Sequence, residues 1–318
     1  MKFPAVAGAV FMVYGCGGGG GASAPQPAPT PALANLPVTL STSSANVTVD
    51  EGQSQTFGFT ASYSGTSTSP IVADVRVDGQ RYTLNGTPTA SGTSFNVSLK
   101  TASMLPGGTS TGNVTFRLCT SADCSTVYPG STQTFTVNLD VRLRDWATFQ
   151  RDAAHTGYVA VNYNTADFTS AWSFATGQNQ PSEIAARRGS IFVNVRQEDG
   201  VLSRAINAEN GTVIWSYNLG RNVYFGGPAY GNGRVASLSM SSYSDSIPIQ
   251  LITADSGRSL GVVTYASQGG QGGVPTFVGD DLYYQAGEFG NVVYAANTAF
   301  KTQIWQRDTF QPGAEGFV

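Results

Sequence analysis

Charge is scarce in this chain. Lys, Arg, Asp and Glu together make up 12% of its 318 residues, about half the usual share. The balance is 17 basic residues against 20 acidic ones, a formal net charge of −3. Nucleic-acid binders normally carry a basic face, and this composition offers none, so no nucleic-acid partner is expected. Histidine is rarer still, with His155 alone. Cysteine occurs only as Cys16, Cys119 and Cys124. A Cys/His zinc site needs grouped ligands, which these counts exclude. No segment of residues 37–143 shows a helical apolar period, so amphipathic helices are not expected there.

What is abundant points one way. There are 38 glycines, Ser and Thr crowd the first half, and apolar residues at 41% leave enough for a real core. Many turns and few helix formers suit an exported all-β protein. The length suits two folded units better than one.

Residues 1–16 read MKFPAVAGAVFMVYGC. Lys2 gives a positive start, and the apolar stretch from Pro4 to Tyr14 is too short to span a bilayer. It suits the core of a signal peptide. The end of this stretch resembles a bacterial lipobox, with Val13 and Gly15 ahead of Cys16. Tyr14 departs from that pattern, since the position is usually small. The resemblance implies lipid on Cys16 and a mature chain that begins there. Cleavage after residues 22–24, ASA, would instead give a soluble secreted protein. Residues 17–36 alternate glycine and proline with small residues, a tether that is flexible and then extended.

Residues 37–143 hold short alternating runs between turn signals: VTLST, ANVTVDEG, SQTFGFTASY, IVADVRVDG, SFNVSLK, GNVTFRLC and QTFTVNLDVRL. Ile71, Ala73, Val75 and Val77 show the two-residue period of a half-buried strand. Seven such runs suit an immunoglobulin-like sandwich. The last of them resembles the closing strand of Ig-like modules in bacterial surface proteins. Within this unit, Cys119 and Cys124 frame the turn CTSADC. A disulfide there pins a hairpin and adds on the order of 2 kcal/mol. The alternative, a redox pair, usually has two intervening residues at a helix start. Five glycosylation sequons, at Asn46, Asn85, Asn96, Asn113 and Asn210, are chance products of a Thr-rich chain in a bacterial host.

Residues 144–318 repeat themselves. INAENGTVIW begins at Ile206, ITADSGRSLG at Ile252 and YAANTAFKTQIW at Tyr294. Ala208, Ala254 and Ala296 align the three copies. Trp172, Trp215, Gly261 and Trp305 recur 43, 46 and 44 residues apart. Pro181, Pro228 and Pro275 recur at 47. A period near 45 with short strands and no helix is that of a propeller blade. Gly211 and Gly257 then supply turn conformations. Trp215 and Trp305 are expected to pack between blades. The third copy, NTAFK, lacks the glycine. Calcium at Glu209 or Asp255 is a second reading of the turns, although calcium wants six or more oxygens.

The pattern of Ala, an acid, Asn or Ser, Gly and then Trp resembles the repeat of pyrroloquinoline-quinone-type (PQQ-like) β-propellers. The stretch DWATFQRDAAHTGY, Asp145–Tyr158, resembles the opening of such propellers through Trp146, Phe149, Asp152, His155, Thr156 and Gly157. The family includes quinone-dependent dehydrogenases. It also includes binding propellers, among them an outer-membrane lipoprotein of the barrel-assembly machinery. The resemblance implies seven or eight blades, whereas residues 146–318 hold three to four periods, so the chain reads as the front of a longer protein. His155 suits a capping position, with a catalytic one as the alternative.

No catalytic, cofactor-binding or metal residue is expected, and this portion supports neither PQQ nor Ca²⁺. The expectation is a lipid-anchored protein of the bacterial cell envelope, at the outer membrane. It would bind or scaffold protein or glycan partners through propeller loops. The alternatives are the N-terminal part of a quinone-dependent dehydrogenase, or a surface adhesin or glycan binder acting through the Ig-like unit.

Overall fold

The computed structural model describes residues 32–77, 79–174, 180–221, 224–240, 244–267, 274–286 and 292–308. The expected signal segment, Cys16 and most of the expected tether lie outside the described residues. No helix among the described residues is long and apolar enough to cross a membrane. The described helix is a single 3-10 turn at Thr165–Asp167, and the rest of the regular structure is strand.

The first unit pairs two sheets. One contains β1 (Val38–Leu40), β3 (Thr56–Tyr63), β7 (Ser94–Thr101) and β5 (Tyr82–Leu84) in that order, with β6 (Thr89–Ser91) also on β7. The other runs β2 (Ser44–Asp50), β9 (Gln133–Arg142), β8 (Gly108–Cys119), β4 (Val72–Val77). All its pairs are antiparallel except β2 with β9. Alternation dictates the core. Phe95, Val97 and Leu99 of β7 point inward, as do Phe135, Val137, Leu139 and Val141 of β9. Phe59 stacks on Phe135 across the sheets at 4.5 Å and meets Phe116 edge-on at 6.2 Å. The outward faces carry hydroxyl and amide pairs, such as Thr60 Oγ1 donating to Asn96 Oδ1 at 2.8 Å.

Each of the seven runs holds a strand, and two more, β5 and β6, join them. At three residues each, these are too short to display a period. The alternation around Ile71 is weaker than the sequence suggests, because Asp74 is half-buried in β4 beside Arg117, Oδ2 to Nε 2.6 Å.

The second unit is a series of three antiparallel sheets. The first is β10 (Pro181–Arg187), β11 (Ser190–Gln197), β12 (Gly200–Asn207), β13 (Val213–Asn218). The second is β16 (Arg234–Met240), β17 (Ser244–Thr253), β18 (Ser259–Ser267), with its opening strand split into β14 (Tyr224–Phe225) and β15 (Ala229–Gly231), both on β16. The third is β19 (Thr276–Val278), β20 (Asp281–Ala286), β21 (Val292–Asn297), β22 (Thr302–Asp308). Opening strands lie side by side, β10 against β15 and β15 against β19. Buried apolar side chains fill the spaces between sheets. Phe192, Trp215, Val235 and Ile252 form one layer, and Leu251, Val263, Leu282 and Tyr294 belong to the next.

Strand pairing corrects the repeat register. Ser190 pairs with Asn207, Arg234 with Thr253 and Asp281 with Asn297. The residue equivalent to Ala208 and Ala254 is therefore Thr298. Its N–H reaches the Asp280 carbonyl as those of Ala208 and Ala254 reach Gly189 and Gly233. Ala296 lies two residues earlier in β21. The small residues of YAAN imitate the motif once the glycine has gone. The proline marker shifts as well. Ala185, Ala229 and Thr276 occupy matching ladder positions, so Ile184 matches Pro228 and Pro275. Pro181 stands outside that register, across an irregularity in β10. The period containing Trp172 contributes no strand among the described residues, so the described repeat is three sheets.

Candidate functional site

The lead-in segment from Asp145 to Ala160 ties the repeat sheets to one another and to the sandwich. Trp146 exchanges both backbone hydrogen bonds with Ala186 of β10, at 2.8 and 2.7 Å. The next carbonyl, that of Ala147, accepts from Tyr230 N of β15 at 2.7 Å. Thr148 Oγ1 then donates to the Pro275 carbonyl, just before β19, at 2.7 Å. Three consecutive residues thus strap the opening strands of three consecutive sheets.

The same segment is fastened to the sandwich by one buried ion pair. Glu51, in the turn after β2, is 5% exposed, and Arg151 is 3% exposed. The guanidinium of Arg151 donates to Glu51 Oε2 and to the Tyr158 carbonyl. Ala160 N adds a bond to Oε1 at 2.9 Å and Arg144 N one to Oε2 at 3.1 Å. Burial opposes the charge, but the Arg151 hydrogen bond, with Ala160 N and Arg144 N, outweighs it. The Glu51 carboxyl is lowered from 4.5 to about 2. Gln150 and Arg151 hold positive φ, 53° and 82°, which side chains with a Cβ rarely adopt. The turn beyond them is tied by Asp152, whose Oδ1 accepts from Ala154 N and Thr156 N and Oδ2 from Thr156 Oγ1. His155 is exposed. Its Nδ1 lies 2.8 Å from the Phe149 carbonyl, which can only accept, so Nδ1 carries the proton. The histidine closes a loop, with its ring 6.3 Å from that of Phe149.

The repeat residues meet between sheets. Trp172 Nε1 donates to the Ala208 carbonyl at 2.9 Å, and Trp215 Nε1 to that of Ala254 at 2.8 Å. Each tryptophan side chain abuts the turn glycine. A Cβ on Gly211 would come within 2.7 Å of Trp172, and one on Gly257 within 2.8 Å of Trp215. Both glycines also need positive φ, 73° and 69°. Ion pairs run along the same rim. Arg187 pairs with Asp255 of the next sheet and lies 5.7 Å over the Tyr230 ring. Arg234 reaches Asp280 at 2.5 Å, joined by Asn232 at 3.1 Å. Asn194, Ser203 and Ser237 form a buried, mutually bonded group between the first two sheets.

At the junction of the second and third sheets the contact is inverted. Gly261 stands at the tryptophan position and Lys301 at the glycine position. Lys301 takes the left-handed conformation, φ 58°. It lays its chain over Gly261, where a Cβ would sit 2.9 Å from Cδ, and its Nζ donates to the Leu260 carbonyl at 3.1 Å. Trp305 differs from expectation: it is 42% exposed, with Tyr283 of its own sheet 6.0 Å away.

Cys119 and Cys124 are disulfide-bonded, with Cα atoms 5.0 Å apart. The bridge closes a turn at the end of β8, not a tight hairpin, because β9 begins only at Gln133. Asp74 lies near both sulfurs, but bonded sulfurs are not thiolate ligands and Asp74 holds Arg117. Thiol labelling of the unfolded, unreduced protein is expected to miss both cysteines; full labelling of both would remove this clip. A cavity of about 150 Å³ opens beside Arg81, Leu105, Gly108 and Leu139, small for a drug-sized ligand.

Sequence reasoning missed Glu51, Arg151 and Lys301. Glu51 and Arg151 are 100 residues apart, and no local pattern announces such a pair. Lys301 was hidden by the loss of the glycine it replaces.

No family profile matches the chain, and no curated protein does. Solved structures give loose likenesses. BamB from Moraxella catarrhalis matches at 14% identity and TM-score 0.30, over 63% of this chain and 61% of that one. A chimeric titin Z1Z2 matches at 16% and 0.21, over 74% and 99%. Domains 4–9 of the surface layer protein SbsC match at 12% and 0.19, over 79% and 34%. At such TM-scores the likenesses carry no weight beside the sheets themselves. The three repeat sheets are consistent with propeller blades.

Proposed function

We propose that this is a cell-envelope lipoprotein whose repeat sheets form part of a PQQ-like propeller that binds or scaffolds other macromolecules. Lipid on Cys16 anchors it, residues 17–36 hold it off the membrane, and an Ig-like sandwich precedes the propeller. The outer membrane is the proposed location. One observation supports a binding role over chemistry: the distinctive repeat residues are engaged in holding sheets together. Trp172 and Trp215 cap turn carbonyls, Gly211 and Gly257 lie beneath them, and Asp255 takes Arg187.

The anchor is tested by fractionation in a Gram-negative host. The protein should partition with membranes, and Cys16→Ser should release it or leave it unprocessed. A free N-terminus at Pro25, found by mass analysis, would replace the anchor with soluble export.

A further inference from the structure

The small cavity of the sandwich lies where its two sheets part. Ser110 and Leu139, paired in register on β8 and β9, come from one sheet. Arg81, the residue before β5, comes from the side of the other. Leu105, in the link from β7 to β8, is buried, as is Leu139, and the two give the cavity an apolar floor. The rim is polar. Thr109 and Ser110 bring hydroxyls, and Arg81 brings an exposed guanidinium. Among the described residues, none of these three side chains has a hydrogen-bond or ion-pair partner. Gly108 lines the same space with φ 101°, and a Cβ there would have no atom within 4 Å.

An aromatic pair adjoins the opening. Gly107 N, on the cavity wall, donates to the Tyr163 hydroxyl at 3.2 Å. The Phe168 ring lies 5.6 Å from that of Tyr163, and both side chains are exposed.

Volume and chemistry together select the ligand. A space of about 150 Å³ has room for one six-membered ring. A purely apolar ring would leave the hydroxyls and the cation unused, and a bare inorganic anion would leave Leu105 and Leu139 unused. A pyranose carries apolar C–H faces and a rim of hydroxyls. A carboxylate on that ring answers Arg81, because a guanidinium grips a carboxylate through two parallel bonds. We infer that the cavity between Arg81, Ser110 and Leu139 binds a carboxylated sugar ring, a uronic acid, carried by a polysaccharide whose next ring lies on Tyr163 and Phe168. Aromatic rings offer such a partner a large apolar face at little cost in side-chain freedom, and the Tyr163 hydroxyl adds a polar tip. The site belongs to the sandwich, so it can fail without the lipid anchor or the repeat sheets failing, and the reverse.

The test uses the full chain, with D-galacturonate, its linear trimer and neutral D-galactose as probes, followed by calorimetry. Saturable binding of galacturonate in the millimolar range is expected, with galactose weaker by about tenfold or more. Arg81→Gln should weaken galacturonate by about tenfold or more, since the bonds lost are charge-assisted. Arg81 is exposed, so this variant should keep the wild-type urea midpoint and the loss reads the site alone. The trimer should bind about tenfold tighter than the monomer. Tyr163→Ala should remove that margin and spare the monomer. Galactose bound as tightly as galacturonate, an affinity indifferent to Arg81→Gln, or no saturation by any of the three sugars overturns the site. A trimer no tighter than the monomer overturns the part given to Tyr163 and Phe168.

Discussion

Arg151→Ala is expected to destabilise the protein by about 3–5 kcal/mol, the cost of stranding a buried charge. Glu51 would keep two backbone partners, Ala160 N and Arg144 N, but lose its buried cation, leaving only the exposed Arg144 guanidinium 4.0 Å away among the described residues. The lead-in would also lose the bond from Arg151 to the Tyr158 carbonyl, leaving the left-handed backbone at residues 150 and 151 held by its main-chain bonds to residues 147, 148, 152 and 157. Urea denaturation reads the loss directly. The pair Glu51→Leu with Arg151→Met should recover most of it, because apolar replacements of both partners avoid the stranded charge. If Arg151→Ala shifts stability by less than about 1 kcal/mol, the pair behaves like a surface salt bridge and is not the clamp.

The same pair sets a pH response. A carboxyl lowered on folding stabilises the folded state fully above its unfolded value, here near 4.5. That contribution is lost as pH falls toward the folded value of about 2. The shift corresponds to about 3 kcal/mol. Wild-type stability should therefore fall between pH 5 and pH 2, and Glu51→Gln should remove that part of the slope.

The three repeat tryptophans should respond to alanine in a graded order. Trp215→Ala is expected to cost about 3–5 kcal/mol, since it empties a buried space and leaves the Ala254 carbonyl without its donor. Trp172 is half-buried and should cost less. Trp305→Ala should change stability by less than about 1 kcal/mol, as exposed positions do. Urea midpoints of the three variants, measured side by side, decide the matter. Equal losses at Trp215 and Trp305 would mean that Trp305 is covered.

Alternation made most of the sandwich strands legible, because inward residues are mostly apolar and outward ones mostly polar. Phe95, Val97 and Leu99 against Asn96 and Ser98 are an example. The repeat was legible through Trp215, Gly211 and Gly257, which are bulky or turn-forming and hence visible in one copy at a time. Lys301 was not, since a lysine in a glycine position makes sense only beside Gly261. The clamp was not either: Glu51 reads as a strand-end acid and Arg151 as a solvated cation. Only burial at a shared surface distinguishes them. The Ala296 alignment failed for a related reason, because small residues alone do not fix a register that backbone pairing decides.

Gly261 and Lys301 place a constraint on how this repeat can diverge. The junction packs in either of two senses, with bulk offered from the preceding sheet, as by Trp215, or from the following one, as by Lys301. A change at one side alone creates a collision or an empty space. Restoring tryptophan at 261 would meet the lysine chain, and restoring glycine at 301 would leave the face of Gly231, Ala236 and Gly261 partly unfilled. The two positions are coupled across a junction, so descendants of a common unit should switch them together or retain both.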